Sequence, residues 1–567
     1  MQQGHGTVQA AGIHFSDIRL THARHSCGDN RASIRDRRRR HELSARGAFQ
    51  SNEFPACAPA RIQYNLAIIL LEWSLHVFDL SALAVSVRRC AAGLALSLLA
   101  AAGAAANTEE LKLPDLGESS TSLFSSEYEH QLGRAWLRVF RSQAPTVDDP
   151  LMLDYLENLT YQLATHSQLE DRRIELVIVD NPAINAFAVP GGVIGVHNGL
   201  LLYAQTEDEL ATVLSHELAH LSQRHFSRGV EFQQKQQPLT LAAMLASLVL
   251  MATAGGDAGM AALSATQAAA QDSALRYSRS NEQEADRVGM QTMVDAGMDP
   301  HAAPAMFERM LQASRYSNAS HIPEFLRSHP LSESRIADTR NRARQYPRQI
   351  RHTSLDYQLM RARAVMQLAD TPEQAVERFR GELDGSPRSR EAATYGLVLA
   401  LTAAGRPDEA SLRLDDIWSG DRNRIEYIIA DAEIDMARNE PASAAKKLAE
   451  QLAVSPGNHP LTMAYANALM QSQQSHIAEQ VLVEQSKRRP NDPGLWYLLA
   501  EVQGLSGNIA GLHQSRAEYF ILNGILDEAQ RQLEYALKLT QGDHYSTSRI
   551  KERLRYVAEL REQMESF

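Results

Sequence analysis

The sequence predicts a mainly α protein in two parts, an α+β domain with a small sheet followed by an α-solenoid. Three observations carry that expectation: a 34-residue period after Ser354, one β-rich section between Arg173 and His197, and helical patterns on both sides of that section. With 567 residues, 44% of them hydrophobic and 22% charged, the chain is too long for a single core and too apolar to stay disordered. Its net charge of −11 argues against a phosphate-tracking surface, so no nucleic-acid partner is expected.

The first 106 residues differ from the rest. They hold twelve Arg, no Lys, seven acids and all three cysteines (Cys27, Cys57 and Cys90), so the remainder carries −16 and no thiol. A disulfide framework or a Cys nucleophile is thereby excluded from the body of the chain. Residues 87–106 read VRRCAAGLALSLLAAAGAAA: two arginines, an apolar run and then small residues, the order of a cleavable signal peptide. Such a segment works only near a true N-terminus, so 1–86 is expected to be an overcalled start or a disordered extension. The competing reading places one or two membrane anchors in 66–102. Glu72, His76 and Asp79 interrupt its first half, and the later run is short of the ~20 residues of a span.

The β-rich stretches Arg173–Val179 and Val189–His197 read as strands joined by a polar turn at Asp180-Asn181-Pro182, with Gly191-Gly192 as a tight turn or bulge. Residues 184–196, including Asn185, Ala186, Phe187, Ala188, Val189, Pro190, Gly191 and Gly192, fit an edge strand able to pair with an extended substrate. Plain hairpin packing gives the same pattern.

Thr206 with Glu209 makes a capping box that starts a helix. Leu210, Val213, Leu214, Leu218 and Leu221 recur at helical spacing and should bury one face. His216 and His220, four apart, then project from one side and can share a cation, with Glu217 beside them to take a proton from an activated water. An exposed histidine pair is the bland alternative, and a third ligand is what would exclude it. Ser278-Arg-Ser-Asn-Glu282-Gln-Glu284-Ala-Asp286 begins with a plausible cap and continues as a helix. Glu282 and Asp286 share a face, so Glu282 can reach the metal while Asp286 hydrogen-bonds a ligating imidazole. Glu284, about 200° around the helix from Glu282, should point elsewhere.

Between the two motifs, 239–254 is a run of Leu, Ala, Met and Val. It reads as a buried helix by default, and as a mobile lid or a peripheral membrane contact on a sharper reading. Downstream, the second half repeats. Val398, Ala432, Ala466 and Ala500 are spaced by 34, as are Ala410, Ala444 and Ala478, and Pro456 and Pro490. Small residues at two phases with a closing Pro are what crossing helix pairs need, so four to five tetratricopeptide repeats with a concave binding face are expected. Units around Ala375 and around Gly524-Ala529-Leu533-Ala536 are offset from that phase.

The HELAH segment, the Asn281-Glu282-x-Glu284-Ala-Asp286-Arg pattern and Asn185-Ala-Phe-Ala-Val-Pro190-Gly191-Gly192 together resemble the M48 zinc metallopeptidases, over roughly Glu127 to Arg340. The resemblance implies a zincin-like metalloprotease domain at 107–350 ahead of the repeats at 351–567. It implies one Zn2+ per chain at His216, His220 and Glu282, Glu217 as catalytic base, and Asp286 as a supporting or proton-donating catalytic residue. Members that combine a signal peptide with repeats imply a periplasmic enzyme of Gram-negative bacteria. Such an enzyme works on unfolded or stalled outer-membrane proteins and docks to the assembly machinery through its repeats. His329 in Arg327-Ser-His329-Pro330 is similar to a loop His that takes the fourth zinc position in such members and represses activity. An ordinary loop His before Pro remains the alternative. Tyr277, Arg335 and His329 are open candidates for an oxyanion stabiliser. Two further readings stand beside the exported protease: a scaffold or chaperone whose zinc site is mostly latent, and a membrane-anchored M48 enzyme.

Overall fold

The structure is a computed structural model that describes residues 125–234, 271–316, 324–348, 354–418 and 423–565. The segments 1–86, 87–106 and 239–254 singled out above lie outside these residues, as does the side chain of Tyr277. Among the described residues no helix is long and apolar enough to cross a membrane.

Helix α1 (Ser126–Gln143) opens with Ser125 accepting from the Tyr128 N–H, and α2 (Pro150–Thr165) with Asp149 accepting from Leu151 and Met152 and with Pro at its first position. They sandwich a three-stranded sheet of β1 (Glu175–Val179), β2 (Ala186–Val189) and β3 (Val193–His197), in the order β1-β3-β2. Side chains alternate between two faces. Val177, Val179, Val189 and Val193 pack with Leu132, Trp136, Leu137 and Phe140 of α1, while Leu176, Ile178, Ile194 and Val196 enter the larger core on the α2 side.

The strand pairing differs from the sequence reading. Strand β1 does not turn back at Asp180-Asn181-Pro182 onto its successor; it runs parallel to β3, in register from Glu175↔Val193 to Val179↔His197. The tight turn lies at Pro190-Gly191-Gly192 instead, joining the separate strand β2 antiparallel to β3. Gly191 and Gly192 have φ of +83° and +79°, which side-chain-bearing residues rarely adopt, and a Cβ at Gly191 would strike the backbone of Glu129 in α1.

After α3 (Asn198–Tyr203), α4 (Glu207–Ser222) is buried all round from Glu209 to Ala219 rather than on one face. Thr206 caps it by accepting from the Glu209 N–H. Glu209 reaches back to the N–H of Gln205, one residue earlier than the expected box, and forms a fork with Arg309 at 2.6 and 2.7 Å. Then follow α5 (His225–Gln234), α6 (Gln271–Asp295), α7 (Ala302–Tyr316), α8 (Glu324–Ser328) and α9 (Glu333–Ala343). Helix α6 is already formed at Gln271, so Ser278 is an interior residue and not its cap.

The repeats begin with α10 (Leu355–Leu368) and α11 (Pro372–Asp384), continue with α12 (Arg390–Ala403), α13 (Pro407–Ile417), α14 (Ile425–Ala437), α15 (Pro441–Val454), α16 (His459–Gln471) and α17 (Ser475–Arg488), and end with α18 (Pro493–Ser506), α19 (Ile509–Leu522), α20 (Leu526–Leu539) and α21 (His544–Glu565). Ala410, Ala444 and Ala478 each sit fourth in their helix and are fully buried, the close-crossing position the period predicts. Ala375 and Ala529 take the same fourth place in α11 and α20, so the offset lies in the spacing of the units and not in their internal plan.

One apolar core runs from Leu151 of α2 through Tyr357 of α10 to Val502 of α18. The Tyr357 hydroxyl lies 2.9 and 2.7 Å from the carbonyls of Leu201 and Ala204, and Arg363 holds the Asp149 cap at 2.8 Å. The first repeat helix is thereby fastened to the part of the chain that carries the histidine motif.

Candidate metal centre

Two helices present the chemistry. Gly289 lets α6 lie against α4: a Cβ there would come within 3.0 Å of the Ser215 carbonyl and 3.1 Å of the His216 N–H. One turn before this contact, Asp286 and Glu282 face His216 and His220. The His216 and His220 Nε2 atoms are 3.1 Å apart. Glu282 lies 3.4 Å from the first and 3.5 Å from the second, and His329 Nδ1 lies 3.1 Å from Glu282 and 3.4 Å from His216. Four donor atoms, one from each of these residues, fall within 4.8 Å of one another.

These separations suit a small tetrahedral cation. Zinc bonds of about 2.0–2.2 Å place ligand atoms roughly 3.3–3.6 Å apart, and three imidazole nitrogens converging on a carboxylate form a borderline-soft donor set. The surrounding charge suits a cation as well. Burial pushes His216 down, yet the carboxylates of Asp286 and Glu282 beside it overcome this and raise the ring to about 9. Burial disfavours the charged form of Glu282, but His329 and His216 hold it well below the usual carboxylate range. His220 is driven well below its ordinary value, chiefly by burial, which keeps its ring in the neutral form a metal needs.

Around this set, Asp286 lies 3.1 Å from His216 Nδ1 and is gripped by Arg335 through two guanidinium nitrogens, each at 2.7 Å. Arg335 also reaches Glu282 at 2.9 Å and is 3% exposed. Its guanidinium is therefore committed to two carboxylates, which removes it from the open oxyanion candidates. Glu217 is 1% exposed; burial raises its pKa, and the nearby Ala188 backbone N–H opposes that rise only weakly. His329 Nε2 lies 3.5 Å from the Glu217 Oε1.

The β2 backbone explains the Ala188 contact. His197 N–H donates to the Asn185 carbonyl, and in antiparallel pairing such positions alternate, so Asn185, Phe187 and Val189 face β3. Ala186 and Ala188 turn their N–H and C=O groups to the outer edge, toward Glu217. Further back along the same edge, the Ile184 carbonyl accepts from the Phe325 N–H, which ties α8 and the following His329 to the strand. Phe325 stacks on the His329 ring at 4.6 Å. The eight residues from Asn185 to Gly192 thus border the site through Ala188, while Pro190, Gly191 and Gly192 form the turn.

One residue that sequence reasoning passed over lies against the cluster. His225 Nδ1 is 2.9 Å from His220 Nδ1, and its Nε2 is 3.1 Å from Glu284. The only sequence signal was a third histidine five residues after His220, with no turn residue between to show that the chain doubles back.

Residues 150–343 match the family described as Peptidase family M48, and 435–502 match a tetratricopeptide repeat family. The chain is 34% identical to the beta-barrel assembly-enhancing protease of Escherichia coli K12 over 458 residues, 80% of this chain and 93% of that protein. It is 35% identical to the protein of the same name from Yersinia pestis, over 74% of this chain and 85% of the relative. A more distant likeness, 32% identity over 182 residues, links it to half of the mitochondrial metalloendopeptidase OMA1 of Schizosaccharomyces pombe. With 34% identity across 93% of one such relative and a match to the peptidase family over 150–343, the chain belongs to the M48 metallopeptidases, as a member that carries tetratricopeptide repeats.

Proposed function

We propose that the protein is a zinc-dependent endopeptidase of the Gram-negative periplasm that acts in the assembly and quality control of outer-membrane beta-barrel proteins, including unfolded or stalled ones. The observation that carries the chemistry is the convergence of donor atoms of His216, His220, Glu282 and His329 within 4.8 Å of one another, with Glu217 at the edge of the cluster. The name of the 34–35% identical relatives, beta-barrel assembly-enhancing protease, supports the biological setting. The domain plan that goes with this reading is an extension at 1–86, a signal peptide at 87–106, the peptidase at 107–350 and the partner-binding repeats at 351–567.

A bound zinc ion would supply Lewis-acid activation of water and of the scissile carbonyl. The residues do the rest. Glu217, in a desolvated position that raises its pKa, takes a proton from the attacking water and passes it to the departing amine. Asp286, 3.1 Å from His216 Nδ1, would hold that ring with its Nε2 toward a bound zinc, and Arg335 fixes Asp286. An extended substrate lies along the outer edge of β2, where main-chain pairing asks little of its sequence.

His329 supports a refinement and a second reading. With its Nδ1 in the donor set, the position that water and substrate need is filled, so the resting enzyme is shut and His329 must leave before hydrolysis. A protein held in that state would act mainly as a scaffold through its repeats. Purified wild type and Glu217→Gln decide between these. Equal zinc content with casein cleavage only in the wild type supports the peptidase. Cleavage retained by Glu217→Gln refutes the role of the base, and rescue of an outer-membrane assembly defect by Glu217→Gln favours the scaffold.

A further inference from the structure

His220 is not held by a carboxylate or a carbonyl, as a ligating imidazole usually is, but by another histidine. Its Nε2 faces the donor cluster, 3.1 Å from His216 Nε2, so as a ligand it carries its hydrogen on Nδ1. That nitrogen is 2.9 Å from His225 Nδ1, which must accept. The remaining hydrogen of a neutral His225 then sits on Nε2, 3.1 Å from the Glu284 carboxylate. One protonation pattern satisfies the whole chain with both rings neutral and every donor facing an acceptor.

The scaffold around it is built for this contact. Arg224, between α4 and α5, has φ of +50°, a left-handed conformation that a residue with a side chain takes only under constraint. The turn reverses the chain so that the first residue of α5 folds back on the last turn of α4. It is held there by Glu129 of α1, which accepts from Arg224 at 2.8 Å and from Ser227. Glu284 is steadied in turn by Arg228 at 3.0 Å. His225 is 6% exposed, and its ring meets that of His220 edge to face at 4.8 Å between centroids.

We propose that His225 and Glu284 are positioning residues for the metal centre, a Glu284–His225–His220 relay that fixes the tautomer and rotation of His220, as Asp286 and Arg335 do for His216. The two ligating histidines are then oriented by different devices on opposite sides of the site. This inference rests on the zinc reading above. It also gives Glu284, turned away from the metal, a purpose that the acid pair Glu282 and Asp286 does not share.

The test is Zn2+ affinity of the full chain by chelator competition, together with the visible spectrum of the Co2+-loaded protein. His225→Ala should weaken Zn2+ binding by about 10–100-fold, the usual cost of losing such an outer partner. Its Co2+ spectrum should also change at saturating metal, because His220 is free to turn. His225→Asn keeps an acceptor where Nδ1 stood and should restore most of the affinity and the wild-type spectrum; Glu284→Ala should fall between. Unchanged affinity and spectrum in His225→Ala would overturn the relay, as would a His225→Asn protein, with its metal-free melting temperature intact, as impaired as His225→Ala. A wild-type chain that binds no Zn2+ overturns the zinc reading itself, which separates the two failures.

Discussion

The outward backbone N–H of Ala188 faces Glu217 and favours its ionised form against the opposing effect of burial, so the sheet edge and the acid of the histidine motif influence one another. Because Ala188 faces away from β3, a proline there removes the outward N–H without breaking a ladder bond. Ala188→Pro should therefore keep the fold and the zinc while losing the N–H that favours the charged Glu217, a polar contact worth about 0.5–1.5 kcal/mol. If Glu217 is used in that charged form, kcat/KM for casein should drop by roughly 2–10-fold. Zinc content by elemental analysis and initial rates measure both halves, and full activity in a folded, zinc-loaded variant would show that the contact is incidental.

His329 closes the donor set from a short helix tied to the same edge at Ile184. Replacing it by Ala leaves His216, His220 and Glu282 as ligands and opens the fourth position. Turnover of an unfolded substrate by His329→Ala should rise several-fold, on the order of what freeing a small populated fraction of open enzyme allows. Zinc content should stay near that of the wild type. A rate equal to or below the wild type's, with zinc retained, would mean that His329 does not gate the site.

What the sequence could disclose follows from how local each feature is. His216, Glu217 and His220 share one helical turn, and Glu282 and Asp286 share another, so periodicity alone puts each group on one face. The repeats were legible because a period in sequence is a period in space, and Ala410, Ala444 and Ala478 fall at one buried position. The parallel pairing of β1 with β3 was not legible, since it is settled by packing between α1 and α2 and not by the turn that follows β1. Ser278 misled because a capping residue caps only where the preceding chain leaves the helix, and here it does not. His225 was missed because its approach to His220 depends on the left-handed backbone at Arg224, a conformation that its residue type does not advertise.

Arg335 neutralises two buried acids at once, and its removal should be costly. Its guanidinium forks onto Asp286 and contacts Glu282, with all three side chains at most 6% exposed. Arg335→Ala leaves the two buried carboxylates facing only the His216 and His329 rings, a loss worth up to about 3–5 kcal/mol of stability. Arg335→Lys keeps the charge but not the fork and should lie between. Urea unfolding of the metal-free proteins gives these differences directly; an Arg335→Ala loss below about 1 kcal/mol would mean that solvent or a neighbour compensates the acids.

Asp492 links stability to pH in the repeats. It caps α18 by accepting from the Leu495 N–H, and its other oxygen lies 3.0 Å from His459 Nε2. Burial works against its charge, but the hydrogen bond from His459 overcomes this and lowers its pKa below 3.8. A folded-state pKa below the unfolded one means that the native state favours the ionised form. The stabilisation is then fully present above pH 3.8 and is lost as pH falls through the lower, folded value. Asp492→Asn retains an acceptor for the cap and removes the charge facing His459. At neutral pH the variant should be less stable by about 1.5–3 kcal/mol, the usual worth of a hydrogen bond to a charged group. Burial and the Asp492 charge raise Asp148 to about 6, so the deficit should change in a small step there as Asp148 titrates, hold below that to about pH 4, and shrink as pH falls further toward the folded value of Asp492. Urea midpoints of the two proteins across that range measure it, and a deficit that persists undiminished to pH 3 would place the stabilising interaction outside the ionised carboxylate.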